Sequence, residues 1–269
     1  MRTYKINSQA KINLNLNVIR KSKKFHLIES LVCFINLSDK IYISELNSKN
    51  HRVKFIGKFS KNISKKNTIT KLLGLLDKNN VLKKKYKISV KKEIPPQSGM
   101  GGGSMNAANL LNYFYKKKFI NMKELKKYSL KIGSDVILGL NNRPKILYRD
   151  GSIKEIRDIK KYHILIVKPF FGCSTKRIYS LNKTFSKSEF NKTKKNIVKN
   201  VILNGKNDLE KSAFKLYPAL KKIKNLLNQN KEANFVRMTG SGSAIIMYFN
   251  SNKFAKNALK IYKRKLNNC

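Results

Sequence analysis

With 269 residues, 41% of them hydrophobic, the chain can hold one large domain or two closely packed ones, and disorder is excluded as the default. Its formal net charge of +46 comes from 60 Lys+Arg against 14 Asp+Glu, almost all the cations being lysine spread along the chain among asparagines and isoleucines. That dispersal, and the scarcity of arginine, argue against a dedicated nucleic-acid partner and for a compositional bias laid over an ordinary fold.

From the N-terminus, Ala10 to Val18 alternates Ile12, Leu14, Leu16 and Val18 with Lys11, Asn13, Asn15 and Asn17, which predicts a strand with one wet face. Leu27 to Leu37 reads as a buried strand, and Lys40 to Leu46 as a second, alternating one. A helix is predicted over Thr68 to Leu76, then a strand over Tyr86 to Ile94 with Tyr86, Ile88, Val90 and Ile94 on one side. After a glycine loop, Ser104 to Lys116 carries Ala107, Ala108, Leu111, Phe114 and Tyr115 on one helical stripe. Met122 to Ile132 is a further helix ending at Gly133.

The second half opens with a buried strand, Ile164 to Val167, that ends at Pro169. Asp208 to Asn228 is helical with a break or a new first turn at Pro218. Phe235 to Met238 and Ala244 to Phe249 are strands around a glycine turn, and Phe254 to Leu266 is a terminal helix. Two α+β layers with no long linker follow, divided as 1–155 and 156–269.

Cys33, Cys173 and Cys269 show no CxxC spacing, which argues against a disulfide framework or a zinc site. No apolar run is long enough to span a membrane and no signal-peptide core is visible, so the expectation is a soluble, cytoplasmic protein with no membrane partner.

The segment with most chemical content is Pro95, Pro96, Gln97, Ser98, Gly99, Met100, Gly101, Gly102, Gly103, Ser104, Met105, Asn106. Glycines between a strand and a helix let backbone approach a ligand closely, and the unpaired amides of the helix start favour phosphate. Taken alone, the same residues also suit a flexible turn. The spacing excludes two common phosphate loops: no Lys-Ser/Thr follows the last glycine, and Ser104 or Asn106 stands where a dinucleotide fingerprint needs its third glycine. The protein-kinase signatures His-Arg-Asp and Asp-Phe-Gly are missing as well.

Three segments, Ala10 to Leu14, Pro95 to Asn106 and Thr239-Gly240-Ser241-Gly242-Ser243-Ala244, resemble in order and wording the three motifs of the GHMP kinases. Phe25 to Ser30, Gly133-Ser134-Asp135-Val136 and Arg237-Met238 extend the likeness over nearly the whole chain, which is nearest to the branch that phosphorylates a cytidylylated polyol in non-mevalonate isoprenoid synthesis. The resemblance implies a two-domain α+β fold, with an N-terminal domain like ribosomal protein S5 domain 2 and a ferredoxin-like C-terminal domain. It also implies ATP with Mg2+ as cofactors, a small-molecule acceptor, and a monomer or homodimer.

On the same resemblance, Asp135 is the catalytic carboxylate and Lys11 the active-site cation; from the residues alone, a capping aspartate and a surface lysine are the plainer readings. Pro95 to Met105 and Asn67 become the ATP-binding set, with Ser104 the hydroxyl for magnesium. Asn13, Phe25, His26, Thr175, Thr239, Gly240, Ser241 and Gly242 become the acceptor set. Phe25 would stack on a cytosine and His26 would bond its edge. His51 and His163 carry no motif. The sequence departs from the family at Lys24-Phe25, where Gly-Tyr is usual, at Met105, where a second hydroxyl is common, and at Ile137, where proline is common. The competing functions are another GHMP kinase of mevalonate or homoserine type, a catalytically silent relative, and, from a different class, a basic nucleic-acid-binding protein.

Overall fold

The computed structural model describes residues 3–22, 26–157, 159–190 and 197–266. Phe25 and Cys269 therefore lie outside the described residues. The contacts divide the chain into two compact units: Met1–Lys11, Phe34–Pro96 and Gly101–Asn142 form one, and Ile12–Cys33, Gln97–Met100 and Arg143–Cys269 the other. Each unit is made of several sequence segments, and two strands, Tyr4–Asn13 (β1) and His26–Leu46 (β3), each run through a segment boundary.

In the first unit, the Lys40–Leu46 end of β3 pairs antiparallel with Lys85–Lys91 (β5), which pairs in parallel with Arg52–Ile56 (β4). The helices are Thr68–Lys78 (α1), Gly102–Lys116 (α2) and Met122–Ile132 (α3), followed by a 3-10 turn at Ile137–Leu140. Their apolar faces and the inner face of β5 make one core around Tyr86, Ile88, Val90, Leu72, Leu111 and Phe114. A ring such as Phe114, wholly buried and edge-on to Tyr86, contributes on the order of 2–3 kcal/mol by burial. Local signals set the helix starts. Asn67 with Thr70 and Asn121 with Glu124 form reciprocal capping boxes at α1 and α3.

In the second unit, Asn17–Lys21 (β2) and Lys145–Leu147 (β6) pair antiparallel with the N-terminal part of β3, and β6 pairs with Ile153–Glu155 (β7). A separate antiparallel sheet has the order His163–Val167 (β8), Ile245–Phe249 (β10), Phe235–Met238 (β9). The helices are Thr175–Leu181 (α4), Ile197–Asn204 (α5), Leu209–Leu216 (α6), Pro218–Asn228 (α7) and Asn252–Lys265 (α8). Pro218 opens α7 at its first turn, where its missing N–H costs nothing.

Two expectations are corrected. Residues 10–18 are not one strand with a wet face: β1 ends at Asn13, β2 begins at Asn17, and Lys11, Asn13, Asn15 and Asn17 are all buried. For Asn13 and Asn15, side-chain hydrogen bonds offset part of the cost of that burial. Asn15 Oδ1 accepts the Leu31 amide at 2.6 Å, and Asn13 Nδ2 donates to Ser30 Oγ at 2.7 Å. The two strands expected at 27–37 and 40–46 are a single 21-residue strand, continuous because the buried Asp39 at the supposed break is fully bonded. The strand β4 and the short elements β6, β7, α4 and α5 were not foreseen.

Candidate functional site

The helix α2 starts with no side-chain cap. Gly101 occupies its N-cap with φ +67, and the first intrahelical bond runs from the Met105 amide to the Gly101 carbonyl at 2.9 Å. The amides of Gly102, Gly103 and Ser104 precede that bond and lie at the positive end of the helix dipole. Met100 and Met105 are buried and serve as apolar pegs of the loop, so only their backbones are available to a ligand. A Cβ on Gly139 would stand 2.8 Å from Met105 Sδ, so the 3-10 turn closes directly over that peg. Pro96 and Gln97 are exposed, while Ser98 is buried.

Lys11 and Asp135 meet in the first unit. Lys11 Nζ lies 3.2 Å from Asp135 Oδ2, with the lysine side chain 6% and the aspartate 34% exposed. A Cβ on Gly101 would lie 2.8 Å from Lys11 Cγ and 3.0 Å from Cε, so the lysine stem runs against the N-cap of α2. Asp135 sits in the turn after α3 and is anchored through the next residue, Val136, whose amide donates to the Gly133 carbonyl at 3.0 Å and whose side chain is wholly buried. A half-exposed carboxylate touching a buried ammonium, beside a row of free amides, is suited to phosphoryl chemistry. Asn67 is different: its Oδ1 accepts the Ile69 and Thr70 amides and its Nδ2 donates to Ser64 O at 3.0 Å, so the side chain is engaged in capping α1. Its neighbour Thr68 donates to Gly103 O at 2.7 Å and ties α1 to the start of α2.

The second unit holds the remaining candidates. The middle of the glycine loop lies along the Thr239–Ala244 turn: the Ser243 amide donates to Gln97 O at 3.1 Å and the Ala244 amide to Ser98 O at 3.2 Å. Gly240, at φ +52, would place a Cβ 2.8 Å from Gly99 O, so glycine is required where the two backbones cross. Gly242 has φ +78 and its amide donates to Thr239 O at 2.9 Å, closing the turn. Thr239 Oγ1 accepts the Asn13 amide at 3.0 Å, and Thr175 Oγ1 and Ser241 Oγ lie 2.7 Å apart. The turn is braced from behind by Asn207, whose Nδ2 donates to Met238 O and Gly240 O at 2.8 and 2.7 Å. Buried Arg237 donates to the carbonyls of Leu14 and Ile202.

His26 has a partner that sequence reading missed. Tyr179, on α4, places its ring centroid 5.1 Å from that of His26. Burial first, and the Lys21 charge second, hold the imidazole below its ordinary pKa, so it stays neutral near pH 7. Its Nε2 is buried with no hydrogen-bond partner among the described residues. Aromatic spacing after Thr175 was the only signal for Tyr179, and a surface helix gives the same signal. Also missed was Asp39, a charged residue inside a strand pattern. His51 is structural: its Nδ1 accepts the Tyr86 amide at 2.9 Å and its Nε2 faces Asp77.

Residues 67–147 match the GHMP kinases N terminal domain and residues 192–268 the GHMP kinases C terminal domain. A protein of Pelagibacter ubique named 4-diphosphocytidyl-2-C-methyl-D-erythritol kinase is 54% identical over 272 residues, spanning 100% of this chain and 97% of its own.

The chain belongs to the GHMP kinase family.

A like-named kinase of Wolbachia from Drosophila simulans is 30% identical over 96% of this chain and 93% of its own. Among solved structures, a 4-(cytidine 5'-diphospho)-2C-methyl-D-erythritol kinase superposes with TM-score 0.79 at 22% identity, covering 97% of this chain and 96% of that one. A homoserine kinase from Cytophaga hutchinsonii superposes with TM-score 0.67 at 16% identity, covering 99% and 91%. Both structural likenesses bear on the fold, which is the two-domain α+β fold of GHMP kinases. Membership makes the chain a small-molecule kinase and implies ATP as donor. Among the described residues no helix is long and apolar enough to cross a membrane.

Proposed function

We propose that this GHMP kinase transfers the γ-phosphoryl group of ATP to the 2-hydroxyl of 4-diphosphocytidyl-2-C-methyl-D-erythritol, in the cytoplasm, as a monomer or homodimer. The observation that carries the chemistry is the Lys11–Asp135 pair at 3.2 Å beside the N-cap of α2. The choice of acceptor is supported by the name of the relative that is 54% identical over the whole chain.

Asp135 accepts the proton of the attacking hydroxyl, and its exposed edge leaves that hydroxyl room to approach. Lys11 holds the carboxylate in place and offsets negative charge that grows around the transferring phosphoryl. The free amides of Gly102 to Ser104 orient the donor phosphates. His26 offers an unpartnered buried nitrogen to the edge of a base, with Tyr179 beside it as an aromatic face. Asn13, Thr175 and the Thr239–Gly242 turn serve the polyol and phosphate parts of the acceptor.

Among the described residues no group of three or more His, Cys, Asp or Glu could hold a metal ion. A magnesium ion would arrive on the nucleotide, held mostly by phosphates and water, with the Ser104 hydroxyl in the first turn of α2 as its protein contact. Bound there, it would neutralise phosphate charge. A domain boundary at 155/156 is part of the same reading, since the matched segments 67–147 and 192–268 fall on either side of it.

An ATP-consumption assay over a panel of acceptors tests the proposal. Turnover should be fast with the cytidylylated methylerythritol and at least about a hundredfold slower with mevalonate or homoserine, which leave base-recognising groups unpaired. Faster turnover of mevalonate would move the chain to another branch of the family.

A further inference from the structure

A single carboxylate grips both ends of the glycine loop. Asp39 is fully buried, and its Oδ1 accepts the amides of Glu93 and Ile94 at 2.8 and 2.9 Å. Its Oδ2 accepts from Asn106 Nδ2 at 2.8 Å and from Lys92 Nζ. Lys92, Glu93 and Ile94 lead straight into Pro95, and Asn106 follows Met105 on α2. The entrance of the loop and the helix that leaves it are therefore tied to one point on β3. Burying such an ion pair is costly, and apolar residues of similar volume would often stabilise the fold as well. The pair also lies against the first turn of α2: a Cβ on Gly102 would be 3.2 Å from Lys92 Nζ.

We propose that Asp39 is a positioning residue for the phosphate donor, setting the distance between loop entrance and helix so that the amides of Gly102 to Ser104 face the triphosphate. The proposal rests on reading the loop as the ATP site. Asn106 is the link to cut, because its Oδ1 has no hydrogen-bond partner among the described residues and its bond to Asp39 is a principal polar function. Cutting it leaves Lys92 and Asp39 paired, so no buried charge is stranded.

The experiment measures steady-state kinetics and thermal unfolding of the full chain carrying Asn106→Leu, with Asn106→Ala as a second variant free of added bulk. Removing one hydrogen bond to a buried carboxylate should raise KM for ATP by about tenfold. The kcat and the KM for the acceptor should stay within about twofold, a split that a general loosening of the fold does not produce. Gly103→Asp is the control, since an acid in the first turn suits the helix but repels an incoming phosphate. If Gly103→Asp weakens ATP binding while both Asn106 variants keep the wild-type KM for ATP, the role of Asp39 is overturned and the loop reading stands. Unchanged KM for ATP in all three overturns both. Equal rises in the two KM values would also overturn it, reducing Asp39 to a stabilising residue.

Discussion

Replacing Gly101 by alanine couples two features of the site in one substitution. The new methyl group would need φ +67, a conformation that costs an L-residue about 1–2 kcal/mol. It would also stand 2.8 Å from Lys11 Cγ and 3.0 Å from Cε, closer than carbon atoms pack, so the lysine stem must shift by several tenths of an ångström. Because that stem delivers Nζ to within 3.2 Å of Asp135, the shift falls on the reacting centre. Displacements of about 1 Å at such centres cost about a hundredfold in rate, so kcat should fall by about ten- to a hundredfold. Urea unfolding and steady-state kinetics on the purified variant give the two numbers. Gly74→Ala is the matched control: it lies in α1 with nothing within 4 Å of its would-be Cβ, and should stabilise by about 0.5–1 kcal/mol without touching kcat. Wild-type kcat in Gly101→Ala, alongside the expected loss of stability, would refute the packing of Lys11 against the helix start.

Further outcomes follow from the acceptor groups and from a surface cluster. Tyr179→Ala should raise KM for the acceptor by about five- to a hundredfold, the worth of one stacking face, and leave KM for ATP unchanged; equal effects on both would remove Tyr179 from base recognition. Burial alone would raise the pKa of Asp77, but hydrogen bonds from Lys85 and His51 and their charges outweigh it and hold the carboxyl below its ordinary value. The folded state thus binds that proton less readily than the unfolded chain. Its contribution is present above the ordinary carboxylate pKa and is lost as pH falls through the depressed one. Urea unfolding between pH 7 and about pH 3 should show a steeper acid loss in the wild type than in Asp77→Asn; parallel curves would contradict the linkage.

Much of the fold was legible because its long elements carry strong periodic signals. The helix at 122–132 matches its expected bounds, and Pro218 marks the break between α6 and α7. The glycine loop and the Thr239 turn were legible because their close crossing leaves no room for a side chain: a Cβ on Gly99 would stand 2.0 Å from Thr239 O and one on Gly240 2.8 Å from Gly99 O. Polarity misled at the N-terminus. Lys11, Asn13, Asn15 and Asn17 look like a solvated face, yet all are buried, and three of them meet partners far along the chain: Lys11 pairs with Asp135, Asn13 Nδ2 donates to Ser30 Oγ, and Asn15 Oδ1 accepts the Leu31 amide. Asp39 fell between the two expected strands for a similar reason: its partners at 92–94 and 106 lie far along the chain, where local pattern carries no trace of them. The pairing of Lys11 with Asp135, more than a hundred residues apart, was reached only through the family resemblance.

The most direct measurement is single-turnover phosphoryl transfer by Asp135→Asn, with ATP affinity determined on the same sample. Asparagine keeps the shape and the contact with Lys11 but cannot take the hydroxyl proton. The rate of product formation should fall by about 10²–10⁴-fold while the Kd for ATP stays within about twofold of wild type. Transfer at the wild-type rate, with ATP bound normally, would contradict the assignment of Asp135 as the base.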